Sequence, residues 1–417
     1  MKESKFNIET EINGNNVIYN TNTLAMIELD KNISEIDKKE ELDILYENGF
    51  LVDDDIVETE LIVKDFFNIT TKNETLYLSI ITTMDCNFEC PYCFQNRKRE
   101  YFSEETSKAV INFLELNKNK YKYVNVDWYG GEPLLNLKLI LKLSDKIKKI
   151  CEQNEIAYTS SLTSNGYLLD KKVALSLSKV GVKSCQVTID GSENIHNNRR
   201  KIKGGGSTYK EILENIINTR NIIEYSIRVN VDYSNIKSIS GLLDDLKLKK
   251  LNNIPIYFKA VVSAEHNPVK EEIDSFSVGD ILLDLNKMAF EKGFNIGVLD
   301  RFRNHSDWFC IVDSINQYII NTDGKLFKCG ESFELDDIGY AGNLEKNGII
   351  SNYKNNWSKN LSEFKECLNC SILPICRGGC QMLRKHNRRP CISDIKGYEG
   401  EYLKLYYKYL NLGEMNE

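Results

Sequence analysis

Cys86-Asn-Phe-Glu-Cys90-Pro-Tyr-Cys93 places three cysteines on one short loop, closely after the apolar segment Leu76-Tyr-Leu-Ser-Ile-Ile-Thr82. Three thiolates on such a loop can hold three irons of a four-iron cluster, which normally takes four thiolates. The fourth iron then stays open, and an open metal site can bind and activate a small molecule. A zinc site is the alternative. Structural zinc takes a fourth protein ligand, however, and the nearest other cysteine or histidine is the distant Cys151.

Size and charge exclude several classes of protein. The 417 residues are enough for two or three domains with substantial cores. A net charge of -7 predicts no nucleic-acid partner. The N-terminus lacks the apolar core of a signal peptide, and no apolar run approaches the roughly 20 residues of a membrane span. The twelve cysteines therefore predict a cytoplasmic protein whose thiols bind metal rather than form disulfides.

The middle of the chain alternates between strand-like and helix-like segments. The strand-like segments are 76–83, 123–129, 158–163, 184–189, 226–232 and 256–262. The helix-like segments are 103–118, 136–152, 170–180, 208–223, 235–250 and 279–292. Six βα units in succession predict an α/β fold with a parallel sheet, closed or partly closed like a barrel. In such folds the chemistry lies at the carboxyl ends of the strands, which is where the first cysteine loop begins.

Two smaller regions flank this partial barrel at 75–304. Residues 1–74 predict an α+β module, with a hairpin turn at Asn13-Gly14 and a helix over 36–48 that Gly49 caps. Residues 305–417 have short segments and seven cysteines, which is typical of a metal-stapled domain with little apolar core. That region ends in an amphipathic helix over 398–412.

Cys86, Cys90 and Cys93, placed after a first strand, resemble the cluster motif of the radical SAM enzymes. The second strand ends in Gly130-Gly131-Glu132-Pro133, which resembles that family's GGEP motif. In the family, this backbone and glutamate receive the methionyl ammonium of S-adenosylmethionine. The chemistry fits, because glycines let a backbone approach a ligand closely and a carboxylate can accept from an ammonium ion. An ordinary turn is the other interpretation of these four residues.

Polar residues at the ends of the third and fourth strands extend the resemblance. Ser164 and Asn165 stand where the family often has Thr-Asn-Gly, and they are candidates to bind the ribose or the methionine carboxylate. Asp190, followed by His196-Asn-Asn-Arg-Arg200, is similar to the family's Asp-Gly … His-Asp-x-x-Arg stretch. The resemblance implies that Arg200, rather than Arg199, pairs with the methionyl carboxylate as a bidentate fork. Asp190 could equally be a strand-end cap.

The seven C-terminal cysteines resemble the SPASM domain, which is named for its peptide-modifying members. By this resemblance, the ligands of one auxiliary 4Fe-4S cluster would be Cys367, Cys370, Cys376 and Cys391. Those of the second would be Cys310, Cys329 and Cys380. The second cluster thus has three protein thiolates unless a ligand comes from elsewhere.

Two departures separate the chain from the sulfatase-maturing relatives. Those relatives carry an extra cysteine in the segment that corresponds to 311–323, where this chain has none. They also carry a catalytic aspartate where this chain has Gly330. Both departures argue against formylglycine formation, which remains an alternative.

The resemblance implies a radical SAM oxidoreductase with one SAM-binding cluster, two auxiliary clusters and S-adenosylmethionine. Such enzymes split S-adenosylmethionine into methionine and a 5′-deoxyadenosyl radical, using an electron from a donor such as flavodoxin or ferredoxin. SPASM-type relatives mostly modify peptides. We therefore predict maturation of a ribosomally made, cysteine-containing precursor peptide, with thioether crosslinks as the leading product and carbon–carbon crosslinks as an alternative. A non-catalytic zinc-binding adaptor is the interpretation from a different class.

The N-terminal module resembles the RiPP recognition element, which pairs a strand with the leader of a precursor peptide. The resemblance rests on Tyr19-Asn-Thr-Asn-Thr-Leu24 and Glu47-Asn-Gly-Phe-Leu-Val52. A leader would add to a sheet edge through main-chain hydrogen bonds. Residues 1–74 are therefore expected to bind the precursor peptide.

Overall fold

The N-terminal elements form two small antiparallel sheets and two helices in this computed structural model. Described residues are 1–71, 74–263, 267, 269–274, 276–304, 310–330, 339–354, 357, 360–385, 391 and 395–414. The first elements are β1 (Lys2–Glu3), β2 (Asn7–Ile12), β3 (Asn15–Asn20), β4 (Met26–Leu29), α1 (Lys39–Glu47), β5 (Leu51–Val52) and α2 (Glu58–Thr71). One sheet has the order β2-β3-β4, and β1 pairs with β5. Asn13 and Gly14 have φ values of 56° and 89°, as the expected hairpin turn requires.

Six parallel strands form one side of a ten-stranded sheet. They are β6 (Thr75–Thr83), β7 (Tyr123–Gly130), β8 (Ala157–Ser164), β9 (Val182–Thr188), β10 (Glu224–Val231) and β11 (Ile256–Ala260). Each strand pairs in parallel with the next one along the chain, from β6 to β11 at the edge of the sheet. The accompanying helices are α3 (Glu104–Asn117), α4 (Leu137–Gln153), α5 (Lys171–Lys179), α6 (Glu193–Arg199), α7 (Tyr209–Thr219), α8 (Ile239–Leu248), α9 (Val278–Glu291) and α10 (Asp300–Arg303).

The C-terminal region extends this sheet on the side of β6. Its strands are β12 (Gln317–Ile320), β13 (Lys325–Phe327), β14 (Tyr340–Leu344) and β15 (Ile350–Ser351). β12 runs parallel to β6, and the next three strands are antiparallel to their neighbours. The later helices are Lys365–Leu368, Leu373–Cys376, Gln381–Lys385 and Glu399–Glu414. Short 3₁₀ helices are Ile33–Glu35, Lys118–Lys120, Pro133–Asn136, Ile236–Ser238, Gly297–Leu299, Ile311–Asp313 and Leu361–Glu363.

Sequence periodicity explains which faces of these elements are buried. On β7, the alternate residues Val124, Val126 and Trp128 are almost fully buried, because successive side chains of a strand point to opposite faces. On α4, the residues buried at intervals of three or four include Ile140 and Ile147, which is the spacing of one helix face. The core therefore lies between the sheet and its helices, and the sheet's other face and strand ends are free to form a site.

The N-terminal module shares the main core of the barrel. Tyr19 is fully buried, and its hydroxyl donates to the carbonyl of Phe302 at 2.8 Å. Its ring packs against Phe302 and Tyr406 with centroid distances of 5.6 and 5.9 Å. A second, smaller core lies under the same sheet and includes Ile18 and Phe50. The predicted boundary at residue 74 falls just before β6, and the division into three domains stays a prediction.

The fold class predicted from the sequence is confirmed. All six predicted strands and their six helices are present within a few residues of the expected bounds. The pattern missed several elements, and these include β4, α2 and α6. It also missed that β12 continues the barrel sheet beside β6. Among the described residues, no helix is both long and apolar enough to cross a membrane.

Candidate active site

The cysteine loop after β6 lines a cavity of about 870 Å³ at the carboxyl ends of the strands. Cys86, Cys90 and Cys93 all contribute to its wall. Backbone contacts hold the loop against the connection that follows α6, since the Glu89 amide donates to the carbonyl of Lys201 at 2.8 Å. The Lys203 amide likewise donates to the loop, at the backbone carbonyl of Asn87 and a distance of 2.8 Å. The three thiols are therefore fixed by main-chain bonds rather than by one another.

The cysteine loop offers three thiols, one for each of three irons of a cluster. Burial raises the pKa of the Cys86 thiol to about 12, and burial also raises the pKa of Cys90. A bound metal would reverse this, because it deprotonates a coordinating thiol. Within the described ranges, no three His, Cys, Asp or Glu side chains lie close enough to hold one metal ion. In a cluster each thiolate binds its own iron, so the sulfurs stand farther apart.

The glycine pair at the end of β7 lies directly behind the cysteine loop. Gly130 and Gly131 line the cavity. A Cβ atom on Gly130 would collide with the carbonyl of Thr83, and one on Gly131 would collide with that of Asp85. Both positions therefore need glycine for close packing of two backbones. The pair thereby presses the end of β7 against the start of the cysteine loop.

Glu132 is fully buried and does not line the cavity. Its carboxylate accepts from the Ser164 hydroxyl at 2.8 Å, from the Asn165 amide at 2.8 Å and from the Leu134 amide at 3.1 Å. Burial raises its pKa although these hydrogen bonds oppose the shift. In this arrangement Glu132 ties the end of β7 to the end of β8. Its predicted contact with the methionyl ammonium stays a prediction.

Ser164 and Asn165 both line the cavity, as the sequence led us to expect. The Asn165 side-chain amide donates to Asn87 Oδ1 at 2.7 Å, which links β8 to the cysteine loop. Asn87 Nδ2 is buried and has no hydrogen-bond partner among the described residues. An orphaned N–H donor next to Cys86 fits a site built to receive an anionic sulfur or ligand atom.

A buried network of charged and phenolic groups forms another part of the cavity wall. Asp190 is fully buried and accepts a short hydrogen bond from the Tyr92 hydroxyl. Its other oxygen accepts from the Asn230 amide at 2.9 Å. Arg200 lines the cavity and donates to the Tyr92 hydroxyl at 2.7 Å. Arg200 also lies 3.9 Å from Asp190, so the network holds one guanidinium beside the cysteine loop.

Arg199 has a different environment from its neighbour. Its guanidinium donates to both oxygens of Asp232, at 2.8 and 2.7 Å, and it also donates to Ser234. Arg199 is absent from the cavity wall. Of these two adjacent arginines, Arg200 is the one that lines the cavity. Its predicted pairing with a ligand carboxylate stays a prediction.

The sequence did not single out Tyr92. This residue lies between two of the three cysteines and is held by Asp190 and Arg200. Burial raises the pKa of Tyr92 far above its usual value, so its hydroxyl stays a neutral donor. Its place within the cysteine stretch was the available signal, but its partners are about one hundred residues away in the chain and could not be identified from spacing.

Four of the C-terminal cysteines lie together. Burial, together with the nearby Cys367, Cys370 and Cys391, raises the pKa of Cys376 to about 11. Mutual influence of this kind requires short separations between the four sulfurs. The group predicted as one cluster's ligand set is therefore brought together, and its role as ligands stays a prediction.

The other three C-terminal cysteines pack around one apolar group. Cys310, Cys329 and Cys380 contact a cluster formed by Val312, Trp357 and Met382. Trp357 is 1% exposed, and its indole nitrogen has no hydrogen-bond partner among the described residues. An N–H donor left without a partner beside three thiols fits a site that receives cluster sulfur.

The described residues of this apolar group include no fourth cysteine. None of the chain's twelve cysteines, all of which the structure describes, forms a disulfide. Cys151 and Cys185 are buried in the barrel core. Burial raises the pKa of Cys151 to about 12 and raises that of Cys185 as well. Both thiols are therefore packing groups.

Part of the chain matches a known protein family. Residues 80–246 match the family model of the radical SAM superfamily. These residues form a radical SAM domain. The chain uses the cofactors of that family, which are a 4Fe-4S cluster and S-adenosylmethionine, and its C-terminal cysteines fit an auxiliary-cluster region. The matched residues contain the cysteine loop, the glycine pair and the Asp190–Arg200 network.

Relatives of this radical SAM enzyme carry out different reactions. It is 24% identical to the radical SAM cyclopropyl synthase TigE of Paramaledivibacter caminithermalis over 400 residues, covering 83% of this chain and 78% of TigE. It is 26% identical to the GTP 3′,8-cyclase of Helicobacter pylori over 320 residues, covering 69% of this chain and 93% of the cyclase.

Two solved structures share the fold of this radical SAM enzyme. One is anSMEcpe with bound AdoMet and Kp18Cys peptide, with a TM-score of 0.64 and 19% identity, covering 81% of this chain and 99% of that one. The other is Streptococcus suis SuiB bound to its precursor peptide SuiA, with a TM-score of 0.51 and 15% identity. This second match covers 94% of this chain and 98% of SuiB.

Removing the Arg200 guanidinium is expected to weaken binding of S-adenosylmethionine. We expect Arg200→Met to raise the dissociation constant about 10- to 100-fold, because a hydrogen bond to a charged group contributes about 1.5–3 kcal/mol. Equilibrium binding to the reconstituted enzyme measures this change. Arg220→Met is the matched control, because the exposed Arg220 donates to the carbonyl of Lys250, away from the cavity. Equal affinities for the two variants would remove Arg200 from the binding site.

Proposed function

We propose that this radical SAM enzyme matures a ribosomally made precursor peptide by forming thioether crosslinks from cysteine sulfur to carbon. The reaction would remove two hydrogens from the peptide for each link. One would leave as a hydrogen atom to the radical derived from S-adenosylmethionine. The other would leave as the proton of the cysteine thiol, and the remaining electron would pass to an auxiliary iron–sulfur cluster. An electron donor such as flavodoxin or ferredoxin would supply the electron that starts each turnover.

One contact carries the proposal. Met382 packs with Cys310, Cys329 and Cys380, and Met382 also lines the cavity that contains the first cysteine loop. The three-cysteine group thus lies next to the space in which a substrate would meet the SAM site. A cluster held by three thiolates keeps one iron open, and iron–sulfur sites accept soft sulfur ligands. A peptide cysteine is the substrate group that this chemistry would bind.

The walls of the cavity suit a peptide. Phe94, Tyr129, Phe327 and Met84 provide an apolar side that would exclude water from a reactive species. The lining also carries charges of both signs, from Lys98, Glu100, Asp323 and Lys325. Apolar groups can bury part of a ligand while polar groups fix its orientation.

Carbon–carbon bond formation is the second candidate. The similarity to TigE, a cyclopropyl synthase, favours it. Both reactions begin with removal of a hydrogen atom, and they differ in whether a peptide thiol is consumed. Sulfatase-type maturation has less support, because Gly330 supplies no carboxylate in the place where sulfatase-maturing relatives have one.

Binding of a leader peptide by the N-terminal module is part of the proposal. β4 is the outer strand of the β2-β3-β4 sheet among the described elements, so its edge could accept an added strand. The start of the helix Glu399–Glu414 approaches the other edge, with Gly400 next to the carbonyl of Glu9. We therefore assign the leader to the β4 edge.

Mass spectrometry of a co-expressed precursor tests the function. The enzyme is expressed anaerobically with a short cysteine-containing peptide encoded beside its gene. A thioether product should lose two hydrogens per link and should resist alkylation after reduction of disulfides. A product with the same mass loss but full thiol alkylation would point to carbon–carbon bonds. An unchanged peptide from an enzyme that cleaves S-adenosylmethionine would contradict peptide maturation for that precursor.

A further inference from the structure

Three positively charged side chains act on the four-cysteine group, which consists of Cys367, Cys370, Cys376 and Cys391. Lys396 forms a hydrogen bond with Cys370 and donates to Glu399 at 3.3 Å. The charge of Arg301 acts on Cys376. Arg384 is the cation with the most defined position, because its guanidinium touches a cysteine sulfur directly. These residues were not singled out by the sequence pattern.

Arg384 is held by several contacts at once. Its Nη2 donates to Cys367 Sγ at 3.0 Å, and its Nη1 donates to Glu366 at 2.9 Å. Its Nε and Nη2 both donate to the carbonyl of Gly378, at 3.2 and 3.0 Å. The guanidinium also stacks on Phe364, 3.7 Å from the ring centroid. A planar guanidinium fixed in this way keeps its positive charge next to the Cys367 sulfur. A flexible lysine ammonium would be held there less firmly.

The contact has a defined electrostatic effect on the Cys367 sulfur. The Cys367 sulfur is buried, and the Arg384 guanidinium donates to it at 3.0 Å. A positive donor in direct contact with this sulfur stabilises negative charge on it. A cluster bound at that sulfur gains one negative charge when it is reduced. The contact with Arg384 then stabilises this added charge.

We infer that Arg384 raises the reduction potential of the auxiliary cluster held by Cys367, Cys370, Cys376 and Cys391. Hydrogen bonds to the sulfurs and nearby charge set the potential of an iron–sulfur cluster. A donor that stabilises the reduced, more negative form makes the cluster a better electron acceptor. The couple is a one-electron reduction, in which the titrant supplies the electron and no bond breaks.

Redox titration of the full-length, anaerobically reconstituted enzyme tests this role without any peptide substrate. Dithionite reduces the clusters, and electron paramagnetic resonance follows each component. In Arg384→Met we expect one component to move to a more negative midpoint while the others stay in place. In Arg384→Gln, which keeps N–H donors but loses the charge, the shift should be smaller. Arg220→Met is the control and should leave every midpoint unchanged.

The iron content of each variant determines how the titration is interpreted. With wild-type iron content, an unchanged midpoint in Arg384→Met would overturn the inference. If Arg384→Met alone loses iron, the midpoint of Arg384→Gln decides in the same way. Loss of one cluster from both variants would also overturn it, because the guanidinium would then be needed for assembly and not for tuning. The result is independent of the proposed peptide chemistry, since no substrate takes part.

Discussion

Replacing Cys90 with alanine is expected to abolish the release of 5′-deoxyadenosine from S-adenosylmethionine. Cys90 is 8% exposed and lies on the cavity wall between the two other cysteines of its loop. Two remaining thiolates cannot hold a cluster that normally takes at least three protein ligands with one open iron. We expect activity to fall more than about 100-fold, since even changes in outer-shell groups cost 10- to 100-fold at metal sites. Chromatography of reactions with dithionite measures the product.

Cys185→Ala is the matched control for this loss. Cys185 is as buried as Cys90, but it lies on β9 within the apolar core and does not line the cavity. The control should retain its iron and its activity. Cys90→Ala should lose about four irons per chain, which is one cluster. Equal rates of 5′-deoxyadenosine release from the two variants would contradict the assignment of the cysteine loop.

Replacing Cys380 with alanine is expected to separate the two halves of the reaction. The variant should still release 5′-deoxyadenosine, because its first cysteine loop is intact. Its yield of peptide product should fall more than about 100-fold, since the change removes a predicted cluster ligand beside Met382 on the cavity wall. Liquid chromatography with mass spectrometry quantifies both products from the same reaction.

Cys151→Ala serves as the control for Cys380→Ala. Cys151 is buried on α4 and packs in the barrel core, so its loss should leave both products close to wild type. Crosslinked peptide from Cys380→Ala at the wild-type rate would contradict a role for the three-cysteine group in the chemistry. Loss of both products together would indicate a folding defect, which the iron content and the unfolding midpoint of the variant would reveal.

Local sequence patterns were sufficient to predict the barrel. The period of two in β7 and the spacing of three to four in α4 each describe one element and one buried face. Six such pairs in order leave few topologies, because parallel strands need crossover helices. The turn at Asn13-Gly14 was equally local, since only a short stretch of backbone decides it.

Contacts between distant parts of the chain could not be predicted from the sequence. Glu132 accepts from Ser164 and Asn165, a pairing that the sequence did not predict. Tyr92 contacts Asp190 and Arg200, which lie far from it along the chain. Such pairings follow from tertiary packing, so no periodicity in the sequence reports them. Shared burial of the N-terminal module with the barrel was missed for the same reason.

The most direct test is the electron paramagnetic resonance spectrum of the reduced cluster that the Cys86, Cys90 and Cys93 loop would hold. The spectrum is recorded with and without S-adenosylmethionine. The central claim is that three thiolates, from Cys86, Cys90 and Cys93, leave one iron open to this ligand. The account predicts that adding S-adenosylmethionine changes the signal of the wild-type enzyme. It also predicts no change in a variant with all three cysteines replaced by alanine. An identical ligand-induced change in both proteins, or no change in the wild type at full iron content, would contradict it.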